Sequence, residues 1–562
     1  MEGKERLPVL LHNALSVPQS LFSKSPSERL NALLERHDAP LLIRRARIED
    51  LHYLIKYIGI EDAQELLLYA GPEQIRGIIE MEAFKGDEFV PERFIFYMDL
   101  VNDTSHDKAL KVIKEMDPEA VALTILKYAF VKVVSEENDP SEEELPVMLT
   151  PDNAFYLVFR SEEAEGQAEV KRLLDLLYEA DMGLARKVLF MCMQDTYSNL
   201  QEQLFVRREN MLEETGFPKY DERFDIYQHL PTGKIKELVD RAFEKREQLT
   251  FTKEPWADRH PFAIELYDVY TPGIFFDALT YLDRDALRKV MVDYRYLVDA
   301  VLRARFKDMS VEDAWQESSR MAAAFVSTAL DFLADGDVGK AGFVLERFYL
   351  KEVFRVGFTL LDRIAKRTAK LVKEVGGEEN LVLFGDLAYH TLKALLQFPP
   401  KVFKGVVSPG SLEEGEPWTY SEIRMVDRVV TQSEAVLWFM KRTFKVDIDE
   451  IASPHVDIEF STLINTAASR AVLYGIPSTE PLNDRELKEL IEKVLKDPEV
   501  VEGLKLVLAE EAQKTFKESK VHAEALAEFV KTSVERMVDE LKGLDPSRPL
   551  DKRFIGNSVL VK

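Results

Sequence analysis

The sequence predicts an all-α protein with at most one or two short strands near residues 153–160. Apolar residues recur at helical spacing along most of the 562-residue chain, many of these stretches open with a proline or an acidic residue, and one short aromatic run has the character of a strand. Proline at the first helical position sacrifices no hydrogen bond, and acids in the first turn complement the helix dipole. We therefore expect helices to dominate the fold.

The segment between residues 48 and 130 repeats a short helical unit. Each unit opens with an acidic or proline-containing phrase, and an apolar stripe follows. Helices of about 10 residues are marginal on their own, so these units are expected to stack on one another as a helical superhelix. The expected units open at Ile48, Ile60, Gly71, Val90 and Asp117.

Two runs in this segment, Glu61–Leu67 (EDAQELL) and Met116–Ala120 (MDPEA), resemble the cytoplasmic N-domain of MgtE-type magnesium transporters. The resemblance covers residues 48–130 and rests on helix-cap residues and leucines. It implies a right-handed stack of short helices. Because the membrane domain of that family has no counterpart in the sequence, it implies a shape rather than transport.

Nearly the whole chain resembles an uncharacterised family of long helical bacterial proteins of unknown function. The phrases that carry this resemblance are Gly216–Pro218 (GFP), Leu345–Leu350 (LERFYL), Leu350–Phe358 (LKEVFRVGF) and Phe460–Leu463 (FSTL). The resemblance implies a bacterial, cytoplasmic setting, and it supplies no catalytic residue.

The composition changes several times after the repeats. Residues 136–144 hold six acids and no base, which is typical of a solvated linker. Asn153–Phe159 is the strand candidate, and Leu504–Leu541 has the stripe of one long amphipathic helix. The expected domains are residues 1–134 (helical superhelix), 135–152 (acidic linker), 153–262 (helical, with a possible short strand), 263–406 (helical core with a basic helix), 418–545 (C-terminal helical domain) and 546–562 (extended tail).

Composition and charge restrict the class of partner. The chain is 46% hydrophobic and 31% charged, as globular proteins are, and it has 100 acidic against 74 basic residues, a formal net charge of −26. A field of this sign repels nucleic acid, so nucleic acid is not an expected partner. The single cysteine, Cys192, excludes a disulfide framework and a cysteine-based metal site, and it favours a reducing compartment. With no signal peptide at the N-terminus and no apolar run of about 20 residues, we expect a cytoplasmic protein that is not embedded in a membrane.

The sequence contains no recognisable catalytic or cofactor motif. A phosphate-binding loop, a dinucleotide fingerprint, a His-Glu-x-x-His zinc motif and a nucleophile elbow do not occur. Two half-matches to a di-iron carboxylate pair, Glu49 with His52 and Asp103 with His106, have no evident partner glutamates. We therefore predict no cofactor, no metal and no catalytic residue, and whether the protein is an enzyme stays open.

One basic stretch departs from the acidic background. Between Lys340 and Lys373 there are nine basic and three acidic residues. Arg347, Lys351 and Arg355 recur every four residues, which on one helix places them on one face, and guanidinium matches carboxylate and phosphate. The hypothesis is a site for an anion or an acidic partner. The alternative is that these cations pair with the chain's own glutamates.

These observations lead to two hypotheses of different classes. The first is a cytoplasmic helical scaffold or adaptor that binds a protein partner, because stacked helices present extended surfaces for binding. The alternative is a regulator or enzyme that binds a small phosphate- or carboxylate-bearing ligand at the 340–373 basic helix.

Overall fold

The computed structural model describes residues 34–562 except 36, 61–62, 136–137, 162–163, 216, 221, 246–272, 307, 310, 312, 452–457, 547–554 and 556–557. The described residues form 24 α-helices and seven short strands, which confirms the predicted all-α class. The chain divides into two compact units, one within residues 1–228 and 233–355 and the other within 229–232 and 356–562. The finer division into six domains stays a prediction, and most of the tail 546–562 lies outside the described residues.

The first unit contains short helices, two small sheets and several long helices. Its elements are α1 Ala39–Arg45, α2 Ile48–Ile58, α3 Gln64–Tyr69, α4 Pro72–Glu82, β1 Phe84–Lys85, β2 Glu88–Phe89, α5 Pro91–Thr104, α6 His106–Glu115, α7 Pro118–Tyr128, β3 Ala129–Val133, β4 Val147–Leu149, β5 Phe155–Phe159, α8 Ala164–Ala180, α9 Met182–Gln194, α10 Tyr197–Thr215, α11 Thr232–Lys245, α12 Ile274–Leu279, α13 Arg284–Arg305, α14 Ala314–Ala334 and α15 Val338–Arg347. The unit boundaries at residues 232 and 355 fall inside α11 and inside α16, Leu350–Val375.

The predicted helix openings of the repeated segment are confirmed where they are described. Helix α2 begins at Ile48, and α4, α5 and α7 begin with Pro72, Pro91 and Pro118 in their first turns. The opening at Ile60 lies partly outside the described residues. Each helix packs on its neighbours, α2 on α4, α4 on α6, α6 on α8 and α7 on both α9 and α10, so their apolar faces share one core.

A three-stranded antiparallel sheet follows α7. Strand β5 confirms the predicted strand, and it lies between β3 and β4 in the order β3-β5-β4. The strands are more numerous than expected, and β4 lies within residues 135–152, the predicted linker. Strand β3 was missed because it continues the apolar pattern of α7 without a break, and β4 has only three residues. One face of the sheet enters the core of the first unit through Val131, Leu157 and Phe159.

The turn between β4 and β5 is organised by one aspartate. Asp152 Oδ1 accepts hydrogen bonds from the Thr150 hydroxyl (2.8 Å), the Ala154 amide (3.1 Å) and the Tyr178 hydroxyl (3.0 Å), and Arg186 Nε donates to its Oδ2 at 2.8 Å. Burial alone raises the pKa of Asp152, but these donors outweigh it and lower the pKa to about 2. The carboxylate therefore fixes the turn to α8 and α9.

The second unit is organised around its last long helix. It contains the rest of α16, then α17 Asp386–Leu396, β6 Val402–Phe403, β7 Glu414–Gly415, α18 Tyr420–Phe439, α19 Ile448–Ile451, α20 Phe460–Tyr474, α21 Asp484–Lys496, α22 Pro498–Leu506, α23 Ala509–Thr515 and α24 Lys520–Lys542. Helix α24 packs against α18 and against α20 to α23. Residues 558–562 lie beside Leu482, whose amide donates to Leu560 O and whose carbonyl accepts from the Lys562 amide, both at 2.8 Å.

The prediction of a single long helix over Leu504–Leu541 is wrong, because this stretch contains the end of α22, all of α23 and most of α24. The chain leaves the helical conformation at Phe516 (φ −111°, ψ 41°), and α24 starts after Ser519 (φ −140°, ψ 88°), which is not helical either. The predicted apolar stripe is correct within α24, where Leu526, Val534 and Leu541 are buried.

We expect Asp152→Asn to lower the stability of the protein in a pH-dependent way. The folded-state pKa of Asp152 lies below its ordinary value of 3.8, so the ionised carboxylate stabilises the fold above that value and loses this effect as pH falls through about 2. The variant should unfold at lower denaturant concentration at pH 7, and the gap to the wild type should narrow as pH falls below about 4.

Denaturant titrations at several pH values measure this gap, with Asp103→Asn, on an exposed aspartate of α5, as the control. A gap that stays constant from neutral to acidic pH would contradict the assignment.

Candidate functional site

The prediction of one basic helix over residues 340–373 is wrong, because this stretch contains two helices, α15 and most of α16. Arg347 is the last residue of α15, whereas Lys351 and Arg355 lie in α16. Phe348 is extended (φ −114°, ψ 144°), and the carboxylate of Asp293, far away in sequence, accepts the hydrogen bond from the Leu350 amide that begins α16. The three cations therefore do not share one helical face.

Each cation of the predicted site has its own surroundings. Arg347 stacks on the Phe343 ring (3.7 Å to its centre) and donates to Glu346 Oε2 at 2.6 Å. Arg355 donates from Nε to the Gln228 carbonyl (3.1 Å) and from Nη2 to its side-chain oxygen (3.2 Å). Lys351 has no hydrogen bond or ion pair with the described residues. The structure therefore does not gather the three side chains around one ligand position, and their role in binding stays a prediction.

The alternative for the basic stretch has direct support in the described residues. Five of its nine cations form ion pairs with acids of the same chain. They are Lys340, Arg347, Lys366, Arg367 and Lys370. Most of the local positive charge is thus neutralised internally.

The most strongly connected cation of this stretch is Arg367 in the second unit. Its Nε donates to Glu434 Oε1 (3.2 Å), its Nη2 to Glu434 Oε2 (2.5 Å) and to Thr431 Oγ1 (2.9 Å), and its Nη1 to Asp427. Burial lowers the pKa of Arg367, but the hydrogen bonds that it donates to Glu434 and the carboxylate charges of Glu434 and Asp427 outweigh burial and raise the pKa. Glu434 is mostly buried, so the fork of the guanidinium neutralises a carboxylate with little exposure to water.

A histidine extends this arrangement, which we call the Arg367 cluster (Arg367, Asp427, Thr431, Glu434 and His522). His522 Nε2 lies 3.4 Å from Glu434 Oε2, and its Nδ1 lies 2.6 Å from the hydroxyl of Ser519. The imidazole packs against Trp438, with 4.8 Å between ring centres. Serine, histidine and glutamate are the residue types of a nucleophile, a base and its orienting acid. Here Arg367 already neutralises the acid. The contacts of the cluster therefore link α16, α18 and α24 to one another.

A groove of about 560 Å³ lies between α18 and α24 beside this cluster. Its charged lining is Arg424, Arg428, Asp427, Glu524 and Glu528, and Arg428 faces Glu528 across it at 4.0 Å. Acids outnumber bases in this lining, so the groove does not favour a phosphate or carboxylate ligand.

The histidines of the two half-matches to a metal site have other partners. His52 is fully buried, and Trp315 Nε1 donates to its Nδ1 at 3.1 Å. Since an indole only donates, Nδ1 accepts, and Nε2 donates to Glu82 Oε1 at 2.5 Å. His106 contacts Asn102 (2.8 Å) and Glu179 (3.0 Å). Across the described ranges, no three histidine, cysteine or acidic side chains are placed to hold a metal ion.

The buried His52 is part of a network of hydrogen bonds that also includes Lys56, Glu82 and Trp315. Lys56 Nζ donates to Glu82 Oε2 at 3.2 Å. Burial raises the pKa of Glu82, but the hydrogen bonds from His52 and Lys56 outweigh it and lower the pKa. These hydrogen bonds therefore hold α2, α4 and α14 together within the first unit.

The thiol of Cys192 is buried in α9. Burial raises its pKa to about 12, and its Sγ lies 3.6 Å from the Ala122 carbonyl oxygen. A thiol with this pKa is almost entirely protonated at neutral pH, so it does not act as a nucleophile or a metal ligand.

Three large apolar side chains of α9 are exposed, although the helix also packs into the core. Met182, Phe190 and Met193 are 52%, 45% and 42% exposed, and their spacing places them on one side of the helix. Val188 and Cys192, on the other side of the helix, are buried in the core. We call Met182, Phe190 and Met193 the α9 stripe. The sequence pointed to the basic stretch and missed this stripe, because the same helix also buries apolar residues and the pattern alone does not tell the two faces apart.

We expect Arg367→Ala to destabilise the protein more than Arg355→Ala. Loss of Arg367 leaves the buried Glu434 carboxylate without its bidentate partner, which costs about 3 kcal/mol. Arg355 contacts one glutamine among the described residues, so its loss costs about 1 kcal/mol. Thermal and denaturant unfolding followed by circular dichroism measure both, and Lys370→Ala, on an exposed side chain of α16, is the control. Equal losses for the two arginine variants would contradict this account.

Comparison with known proteins places the chain in a family. Among the described helices, none combines the length and the hydropathy needed to cross a bilayer. No curated protein and no solved structure matches the chain, and the resemblance of residues 48–130 to the MgtE-type N-domain stays a prediction. The predicted membership of an uncharacterised family is confirmed: the model of a family of unknown function, DUF6178, matches residues 12–561, and the chain belongs to that family.

Proposed function

We propose that this protein is a cytoplasmic helical scaffold or adaptor that binds another protein. The observation that carries the proposal is the α9 stripe, three large exposed apolar side chains on one side of α9, with Arg186 between Met182 and Phe190. Single exposed apolar residues are common, whereas a row of them at helical spacing is typical of a face that another protein covers. The cytoplasmic location belongs to the same proposal and is supported by the single, buried cysteine.

The energy available at the α9 stripe suits the centre of an interface. Full burial of one such side chain from full exposure contributes about 1.5–3 kcal/mol, and each of these three is already about half buried. Covering all three therefore contributes about 3 kcal/mol before the costs of association. A partner also needs contacts around the stripe, since stable interfaces bury about 800 Å² on each side.

The alternative function is that of a regulator or enzyme that binds a small phosphate- or carboxylate-bearing ligand at Arg347, Lys351 and Arg355. One observation favours it, the lack of a partner for Lys351 within the described residues. It is weaker than the first proposal because Arg347 and Arg355 already bond to groups of the same chain.

We expect the double variant Phe190→Ser/Met193→Ser to lose a protein partner that the wild type retains. Tagged wild type and variant are purified from the native cell at low and moderate salt, and bound proteins are identified by mass spectrometry. Leu412→Ser is the control, since Leu412 is an 80% exposed apolar residue of the second unit. The proposal expects a stoichiometric partner with the wild type and the control, its loss with the double variant, and a folded circular dichroism spectrum for all three proteins.

Two outcomes would contradict the proposal or redirect it. The absence of any partner for the wild type at either salt concentration would contradict the scaffold function. A rise in melting temperature with inorganic phosphate that Lys351→Ala abolishes would favour the alternative function.

A further inference from the structure

The outer face of the three-stranded sheet is apolar, although it points away from the core. Strand register aligns Phe130, Val158 and Val147 in one row across the sheet, and Lys132, Tyr156 and Leu149 in the next. The two central residues are buried, whereas Phe130, Val147 and Leu149 at the flanks are 47%, 39% and 51% exposed. The outer face therefore carries an exposed apolar border along β4.

Strand β4 also has a free backbone edge. In the β4–β5 ladder the Phe159 amide donates to Pro146 O (2.9 Å) and the Thr150 amide donates to Phe155 O (3.0 Å). Hydrogen-bonded pairs alternate along an antiparallel ladder. The backbone N–H and C=O groups of the even-numbered residues of β4 therefore point towards β5, and those of the odd-numbered residues point away from it. The amides and carbonyls of Val147 and Leu149 thus point out of the sheet, and they have no backbone partner among the described residues.

An edge of this kind is uncommon on a protein that functions alone. Natural sheets protect their edges with lysine, proline, bulges or a covering element, because an open apolar edge pairs with other strands. Here Pro146 precedes β4, and the exposed positions of the strand itself are valine and leucine.

The segment that leads into β4 is strongly acidic. Residues 136–144 include six acids and no base. Glu143 accepts a hydrogen bond from the Tyr156 hydroxyl (3.1 Å) and pairs with Lys132 on the outer face, so this acid lies on that face. Glu144 lies three residues before Val147. The open edge is therefore adjacent to excess negative charge.

We propose that the free edge of β4 binds an extended segment of a partner protein that carries both apolar and basic residues. The segment adds a fourth strand to the sheet through the outward amides and carbonyls of Val147 and Leu149. Its apolar side chains cover the exposed border, and its basic side chains meet the described acids that precede β4, Asp139, Glu143 and Glu144. This inference rests on the proposed interaction function and gives it a second surface and a partner chemistry.

The charge of the acidic segment argues against a second copy of this chain as the occupant. A second copy carries the same acids before its own β4 and the same net charge of −26, so pairing of two β4 strands brings like charges together, which repulsion opposes. A basic segment is attracted by the same charges, and its binding weakens as salt is added.

The test uses a short labelled peptide of alternating lysine and valine, with binding to the full-length protein measured by fluorescence anisotropy. Two control peptides separate the contributions: one has the same sequence with alternate amides N-methylated, which blocks strand pairing, and the other has glutamate in place of lysine. The proposal expects binding of the first peptide, loss of binding by about tenfold or more for both controls, and weaker binding at high salt.

Leu149→Pro tests the edge on the protein side. Proline removes the outward amide of Leu149 and leaves the β4–β5 hydrogen bonds of residues 146, 148 and 150 in place, so the sheet should persist. Leu149→Ala is the matched control, because it keeps the amide and removes the apolar side chain. We expect Leu149→Pro to weaken binding by about tenfold or more and Leu149→Ala to weaken it less. If circular dichroism shows that Leu149→Pro is not folded, the N-methylated peptide with wild-type protein decides the same point.

Several results would overturn the inference. Equal binding of the lysine and glutamate peptides rejects the partner chemistry, and equal affinities of folded Leu149→Pro and wild type reject the edge. Concentration-dependent self-association of the wild type that Leu149→Pro abolishes assigns the edge to a second copy instead. A cellular partner that Leu149→Pro still retains, and that Phe190→Ser/Met193→Ser loses, would leave the scaffold function standing and remove only this inference.

Discussion

The first unit depends on the mutual burial of helices that are too short to be stable alone. Helices α1 to α7 are between 6 and 14 residues long, at or below the length at which an isolated helix is marginal in water. Their stability comes from packing, and the packing requires each helix to start at a fixed place. Prolines in the first turns of α4, α5 and α7 supply that start, because they end the preceding segment and fit the first turn without losing a hydrogen bond.

Buried charge adds a second constraint, since a charge removed from water needs a partner. In the first unit Glu82 is held by His52 and Lys56, and in the second Glu434 is held by Arg367. Each contact joins residues of different helices, so it selects one arrangement of those helices over others. The Arg367 cluster thus shows how an acidic protein uses its basic stretch, by neutralising its own buried acids.

The parts of the structure that follow from local chemistry could be predicted from the sequence, and those that depend on distant residues could not. Helix openings at Pro72 and Pro118 and the strand at Phe155–Phe159 are local features. The break before Leu350 depends on Asp293, a residue 57 positions away, while the apolar pattern continues through it. Likewise Arg367 pairs with Glu434, one of 100 acidic residues, because the tertiary structure places α16 beside α18. The sequence alone does not identify that partner. The α9 stripe was missed because exposure depends on which neighbours cover a helix.

The burial of Cys192 has a practical consequence for spectroscopy. It is the chain's one cysteine, and its thiol is protonated and shielded in the folded protein, so maleimide and iodoacetamide reagents should find no reactive group there. The native sequence thus already serves as the unreactive background that labelling studies usually obtain by mutating cysteines away. A cysteine introduced on an exposed helix or strand becomes the single attachment point for a fluorophore or spin label, and the signal of that label in the full-length chain then reports on one known position.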